Sequence, residues 1–344
     1  MHIVDPLVDE RWEALVACHP NASVFHHRGW LKTLSSTYGY RPFVVTFDSP
    51  AQPLSGGIAL CDIKSWITGR RFVALPFSDH CAPLVNPDCD LSELGDWLQS
   101  EFRNSDWDYL EIRPLRWNRS LGISMAPASS FWVHSLDLTD SLEHIFARFH
   151  KDCIQRRIHH AQNEGISYEK GRSEILLEEF YRLMLITRRR HRLLPQPRAW
   201  FRNLLDCMGV NVEIRVARKN GVAIGAILSM SHQHTTVYKY GCSDERFHSI
   251  GTMPYLFWKL IEESKASGAE QVDFGRTDLE NHGLTEFKDR FGTRRERLTY
   301  FRFSKGGPER RSAMRLLPGL RGLFSVMPGG LSSRIGALLY RHIG

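Results

Sequence analysis

Residues 238–303 constrain this chain more than any other stretch. They read YKYGCSDERFHSIGTMPYLFWKLIEESKASGAEQVDFGRTDLENHGLTEFKDRFGTRRERLTYFRF. A β-rich segment ends at Tyr240, and a turn over residues 244–251 leads into a helix. Met253, Leu256, Phe257, Leu260 and Ile261 recur at helical spacing and mark one apolar stripe that must face a core. Thr252 is placed to cap that helix, Pro254 suits its first turn, and Gly268 ends it. A strand over residues 271–274, a polar loop, the run Glu286 to Gly292 and an aromatic strand over 298–303 complete the unit. A strand feeding a glycine-bearing turn that opens a helix is a seat for phosphate, because unpaired N–H groups point outward there. Arg246 and Gly251-Thr252 flank that turn. The other reading of the same residues is a tight loop with one glycine.

The rest of the chain supplies a second copy of this pattern. In the first half, strands are expected over 42–47, 57–63 and 71–75, then a helix over 91–102 and a strand over 109–113. In the second half, strands over 213–218 and 223–230 flank Lys219-Asn220-Gly221, a turn of type I′. A third strand over 235–240 precedes the helix described above. Both copies end on an arginine, Arg113 and Arg276. Side-chain identity between them is slight, so what repeats is the pattern, as in a duplicated α/β fold. Between the copies, residues 131–138 alternate like a strand, and one helix of about 24 residues is expected from Ser141 to Gly165. The chain divides on this reading into residues 1–130, 131–304 and a tail, 305–344.

Charge and cysteine use narrow the class. The net charge of +7 is concentrated in the tail, where seven basic residues face one acid, Glu309. The body is close to neutral, which argues against a protein that coats nucleic acid. Seven scattered cysteines without a C-x-x-C spacing argue against a disulfide framework and against zinc, and sixteen histidines show no H-x-x-x-H. No metal is expected. His80-Cys81 shows no orienting partner for a thiol nucleophile. The acidic N-terminus carries no leader pattern, and no run of about 18 apolar residues is present to span a bilayer. A cytoplasmic protein is expected.

The order strand, RFHSIGT, helix, QVDFGR, LTEFKDRFG, strand resembles the C-terminal half of the FemAB-like acyltransferases. These are two-domain relatives of the GNAT N-acyltransferases, and they include peptidoglycan bridge-forming aminoacyltransferases and CelD-like acetyltransferases of polysaccharide synthesis. The resemblance is strongest from Ser141 onward. It implies two GNAT-like halves, each a mixed sheet flanked by helices, with an acceptor site in the cleft between them. It implies acyl transfer to an amine or hydroxyl of a cell-envelope precursor, lipid- or nucleotide-linked, with acyl-CoA as donor and aminoacyl-tRNA as the alternative. Lys288, after Phe287, is the cation that would support developing negative charge. Arg156 and Arg157 match an arginine-bearing helix that contacts acceptor phosphate, and Phe287 and Arg276 would bind the substrate with them. Asp79 stands where the bridge-forming enzymes place a proton acceptor, with Asp273 as the alternative. Arg246, Gly251 and Thr252 would hold the donor.

The sequence departs from that family in two places. Of the R/Q-x-x-G-x-G/A loop of ordinary GNAT enzymes only Gly251 remains, and the Gly-Pro beside the proton acceptor is replaced by Pro76-Phe77-Ser78. Arginines 188–190, 192 and 198 offer a polyanion site or a solvated face. In the tail, Arg334, Ile335, Leu338, Leu339 and Tyr340 suit a short amphipathic helix. That helix would rest on an anionic inner leaflet or dock against the protein itself. A non-catalytic, membrane-peripheral scaffold is the remaining reading.

Overall fold

Two elements of the chain change direction by about the same device, a three-strand antiparallel meander followed by a helix and a parallel strand. In the first half, β1 (His2–Val4), α1 (Glu10–Cys18) and α2 (Arg28–Tyr38) precede the meander β2 (Arg41–Thr46), β3 (Ile58–Ser65) and β4 (Gly69–Val73). Then come α3 (Ser92–Arg103) and β5 (Tyr109–Ile112). The strand order is β1-β2-β3-β4-β5, antiparallel except for the parallel pair β4–β5. The computed structural model describes residues 1–86, 91–103, 106–116, 125–304, 335–336, 338–342 and 344.

The second half opens with β6 (Ala126–Asp137), α4 (Leu142–Ala147), a π-helical turn (Lys151–Gln155) and α5 (Arg156–Asn163). β7 (Ser167–Gly171), α6 (Glu174–Arg190) and α7 (Arg198–Met208) follow. Its meander is β8 (Val212–Lys219), β9 (Val222–His232) and β10 (Thr235–Ser243). After it come α8 (Thr252–Ala266), β11 (Gln271–Asp278), α9 (His282–Asp289) and β12 (Arg294–Ser304). The strand order here is β6-β11-β10-β9-β8-β7, and β10–β11 is again parallel. The doubled pattern is therefore present as an α/β fold with mixed sheets. Asn220 and Gly221 both take positive φ, as the type I′ turn between β8 and β9 requires.

The described residues form two compact units. One holds 1–131, 298–304 and 338–344, and the other holds 132–297 and 335–336. Residues 298–304 lie with the first unit, because 301–304 pair antiparallel with β5. The tail expected over 305–344 falls mostly outside the described residues, Arg334 included. Its last described part is helical over 335–336 and 338–342, and Tyr40 donates its hydroxyl to the main-chain oxygens of Tyr340 and Arg341. This piece is thus hydrogen-bonded to the first unit.

The single helix expected between Ser141 and Gly165 is broken. His150 takes an extended ψ, its N–H goes to Arg290 O, and its ring caps Cys153 N. The break lets Phe149 turn inward against Trp258 and Phe291, a gain in apolar burial that a straight helix would forgo.

The core of the second unit is built on the stripe of α8. Leu256, Phe257, Leu260 and Ile261 are buried with Phe274 and Phe291. Phe257 stacks on Phe274 at 4.9 Å and meets Phe287 and Phe291 at 5.6 and 5.3 Å. Phe257→Ala should therefore lower unfolding free energy by about 3–5 kcal/mol, read from urea denaturation.

Candidate functional site

The parallel pairing of β10 with β11 lasts only from Thr235↔Gln271 to Val237↔Asp273. Beyond it the strands run on separately, β10 to Ser243 and β11 to Asp278. β10 shifts register between Tyr238 and Tyr240, and β11 kinks at Gly275, where φ is +71°. Such a φ inside a strand favours glycine and turns carbonyls out of the ladder. Lys288 answers the kink. Its ammonium is 2% exposed and donates to Gly275 O at 2.9 Å and Arg276 O at 3.2 Å. Asp273 is buried beside it and accepts from Gly275 N at 2.7 Å, the turn-capping role rather than a free base. Within the Glu286–Gly292 run, Phe287 and Phe291 belong to the core, and only Lys288 carries charge inward.

The turn before α8 is the second part of the site. Gly251 takes φ +88°, and a Cβ there would lie 2.4 Å from Arg157 O, so α5 packs directly on the turn. Arg157 also donates to Ser249 O at 2.5 Å, and His160 Nδ1 lies 3.2 Å from Ile250 O. Thr252 does not cap the helix. Gly251 holds the N-cap position and no side chain caps α8, so the N–H groups of its first turn have no helical acceptor. Thr252 lies one position inside, its hydroxyl buried and without a partner. An open helix N-terminus with an unsatisfied hydroxyl suits an anion.

Arg246 is exposed, and its guanidinium is held by Asp244 at 2.6 Å, which keeps the Asp244 carboxyl below the usual range. Arg156, in contrast, points away into an exposed pair with Asp152 at 2.7 Å. The structure thus brings Arg157, Gly251 and Thr252 together and leaves Arg156 outside. Of the remaining arginines, Arg198 is paired with Glu174 and Glu178, and Arg190 reaches His248 in the 245–250 turn at 3.1 Å.

His134 was not among the candidates. It lies on β6, 0% exposed, with Nε2 3.2 Å from Asp289 Oδ1 yet off the line of a hydrogen bond at both ring nitrogens. Asp289 also meets Arg295 at 3.2 Å. Burial first, and the nearby Lys288 charge second, lower the His134 pKa to about 4. In the sequence only its place in an alternating strand marks it, and that says nothing about Lys288.

In the first unit Asp79 is buried in the loop after β4, and its main-chain oxygen accepts from Tyr300 OH at 2.6 Å. Leu75 and Phe77 take positive φ in that loop, and Cys81 returns to pair with Arg113. Cys81 does have an orienting neighbour, His26 Nε2 at 3.2 Å, which the sequence did not reveal. Burial nevertheless pushes the thiol pKa strongly up, so it stays protonated and is no nucleophile. A cavity of about 450 Å³ in this unit is lined by Phe43, Phe72, Trp97 and Trp107 among others and includes none of the candidate residues. Among the described residues no group of His, Cys, Asp and Glu is placed to hold a metal.

A family model described as an acetyltransferase (GNAT) domain matches residues 148–289, which lie wholly in the second unit. The second unit thus carries the match to a GNAT-type acyltransferase domain. Solved structures share the whole two-copy fold. FemX is 15% identical with a TM-score of 0.66, over 93% of this chain and 99% of its own. The C-terminal domain of a putative lysylphosphatidylglycerol synthetase from Agrobacterium fabrum is 14% identical with a TM-score of 0.59, over 90% and 95%. A tandem GNAT protein from the clavulanic acid biosynthesis pathway is 11% identical with a TM-score of 0.54, over 88% and 98%. At these identities the likeness is one of fold. No curated protein matches the sequence.

The geometry of His134 sets a pH test for this protein. Its folded pKa, about 4, lies below the unfolded value of about 6.5, so the unfolded chain takes the proton first. The stability that the neutral ring allows is present above about pH 6.5 and declines as pH falls toward 4. Melts of the native protein and His134→Gln across that window should differ in slope, with the variant flatter.

Proposed function

We propose that the second unit transfers an acyl group from a coenzyme A thioester to an amine or hydroxyl of a cell-envelope precursor. The observation that carries this reading is the uncapped start of α8, with the Thr252 hydroxyl unpartnered, beside the diverging β10 and β11. The first-turn N–H groups and Thr252 would take the donor's phosphates, and Arg157 fixes the turn that presents them. In the reaction the acceptor nitrogen or oxygen bonds to the acyl carbon, the carbon–sulfur bond breaks, and the acceptor's proton leaves with the thiol or to solvent. Lys288 supplies a fixed cation in a dry setting, which stabilises charge building on the acyl oxygen. It also holds the Gly275 kink, so orientation and charge come from one residue.

Aminoacyl transfer from tRNA is the second reading. It is favoured by the run of arginines at the end of α6, which abuts the 245–250 turn through Arg190 and His248. A broad phosphate footprint would make such binding steeply salt-dependent.

Thermal melts with acetyl-CoA, longer acyl-CoAs and bulk aminoacyl-tRNA separate the two. A thioester at a hundred times its dissociation constant should stabilise by about 2.7 kcal/mol. Stabilisation only by charged tRNA would sink the coenzyme A reading. Thr252→Val gives a sharper test, because its two effects have opposite signs. Removing an unsatisfied hydroxyl should raise the melting temperature of the free protein. The thioester-induced shift should shrink.

For Lys288→Met we expect kcat to fall by about 10²-fold or more, in the range of losing an oxyanion-stabilising group. KM should change only a few-fold. A fall in KM-linked binding alone, with kcat kept, would remove Lys288 from the chemistry.

A further inference from the structure

The turn between β3 and β4 exposes side chains that a water-facing hairpin has no use for. Trp66 is 87% exposed and Ile67 40% exposed, at the tip of a hairpin whose strands are otherwise buried down to Ile63. They are not isolated. The helical residues 338–342 pack against this tip: Ser65 Oγ meets His342 Nδ1 at 3.0 Å, and Thr68 Oγ1 donates to His342 O at 2.8 Å. The His342 ring meets Trp66 edge-on at 5.5 Å. Leu338, 66% exposed, lies one helical turn before His342 and hence on the same side.

The placement is rigid. Arg71, 2% exposed, donates Nη2 to His342 O at 2.9 Å and Nε to Gly344 O at 3.0 Å. A buried guanidinium spent on carbonyl oxygens makes this junction costly to open. Three large apolar side chains are thus fixed on one end of the first unit and left in water, a cost that a contact would remove.

The two segments that carry them hold basic side chains and no acidic ones. Residues 64–71 contain Lys64, Arg70 and Arg71 and no acid, and residues 338–344 contain Arg341 and no acid. Lys64 and Arg341 are exposed. Two acids, Asp62 and Asp108, make contacts at this end of the hairpin. Asp62 is taken up by Arg41 at 2.9 Å and Arg70 at 3.1 Å, and Asp108 accepts Arg70 N at 3.1 Å. Tryptophan, isoleucine and leucine thus face outward, with Lys64 and Arg341 as exposed cations on the same two segments. An indole and aliphatic groups ringed by Lys and Arg suit the boundary of an anionic bilayer, where the ring sits at headgroup depth and the cations meet phosphate. No described helix is long and apolar enough to cross a membrane, so the contact is with the surface.

We propose that the β3–β4 tip and the helical residues 338–342 together form a docking surface for an anionic lipid membrane. The inference does not depend on which donor or acceptor the second unit uses.

The test is sedimentation of the full-length protein with vesicles of phosphatidylglycerol mixed with phosphatidylcholine, against phosphatidylcholine alone. The protein should bind only the anionic vesicles, more weakly as salt rises. Trp66→Ser/Ile67→Ser should weaken binding on the order of tenfold or more while leaving the melt unchanged, since both side chains are exposed. Brominated lipid should quench tryptophan emission in the native protein by a component missing from the variant. No binding to anionic vesicles overturns the proposal. Equal binding by the double variant does too, because it would move any lipid contact to the basic stretch 305–334. A native dimer that this variant splits into monomers would assign the patch to a second copy of the chain instead.

Discussion

The short parallel pairing of β10 and β11 is the constraint on which the second unit turns. Three residue pairs hold the strands together, and then each goes its own way. Past that pairing the main-chain groups of β11 on the β10 side need other partners, because a buried strand leaves few such groups unsatisfied. Gly275 permits the kink, and the Lys288 ammonium takes the carbonyls of Gly275 and Arg276. The Phe257 cluster on one side fixes α9 so that Lys288 can reach them. The geometry that parts the strand pair and the geometry that places a cation beside it are therefore one arrangement.

The first unit repeats the strand order and treats the same place differently. Its parallel pair β4–β5 also ends after three residue pairs, Arg71↔Tyr109 to Val73↔Glu111. There the chain after β4 folds back, with Leu75 and Phe77 in left-handed conformations, and Cys81 pairs with Arg113. Tyr300 ties the loop down through Ser78 and Asp79 main-chain oxygens. The acetyltransferase family model matches residues 148–289, within the second copy.

Much of this was legible in the residues because it depends on local periodicity. The stripe Leu256, Phe257, Leu260 and Ile261 fixed α8, and Asn220-Gly221 fixed a hairpin, since both are short-range consequences of backbone geometry. The helix expected from Ser141 to Gly165 was misread because its break answers a distant contact. Phe149 enters a core formed with Trp258 and Phe291, more than a hundred positions away. Thr252 failed as a cap for a related reason: α5 presses on Gly251 and sets where α8 begins. The Cys81–His26 pair joins positions 55 apart, and no spacing rule links them.

By itself the sequence determined the doubled α/β pattern, the absence of the common metal spacings and the Glu286–Gly292 run that singles out Lys288. These rest on side-chain order, which neighbouring residues impose on one another within a helix turn or a strand pair. Tertiary structure alone decided what each polar group meets. It paired Arg156 with Asp152 and Arg198 with glutamates, held Arg157 against the α8 turn, and buried His134 beside Lys288. It also fastened the last residues of the chain to a hairpin tip bearing Trp66. The reason is physical: burial and charge are properties of the space around a group, and that space is filled by residues far away along the chain.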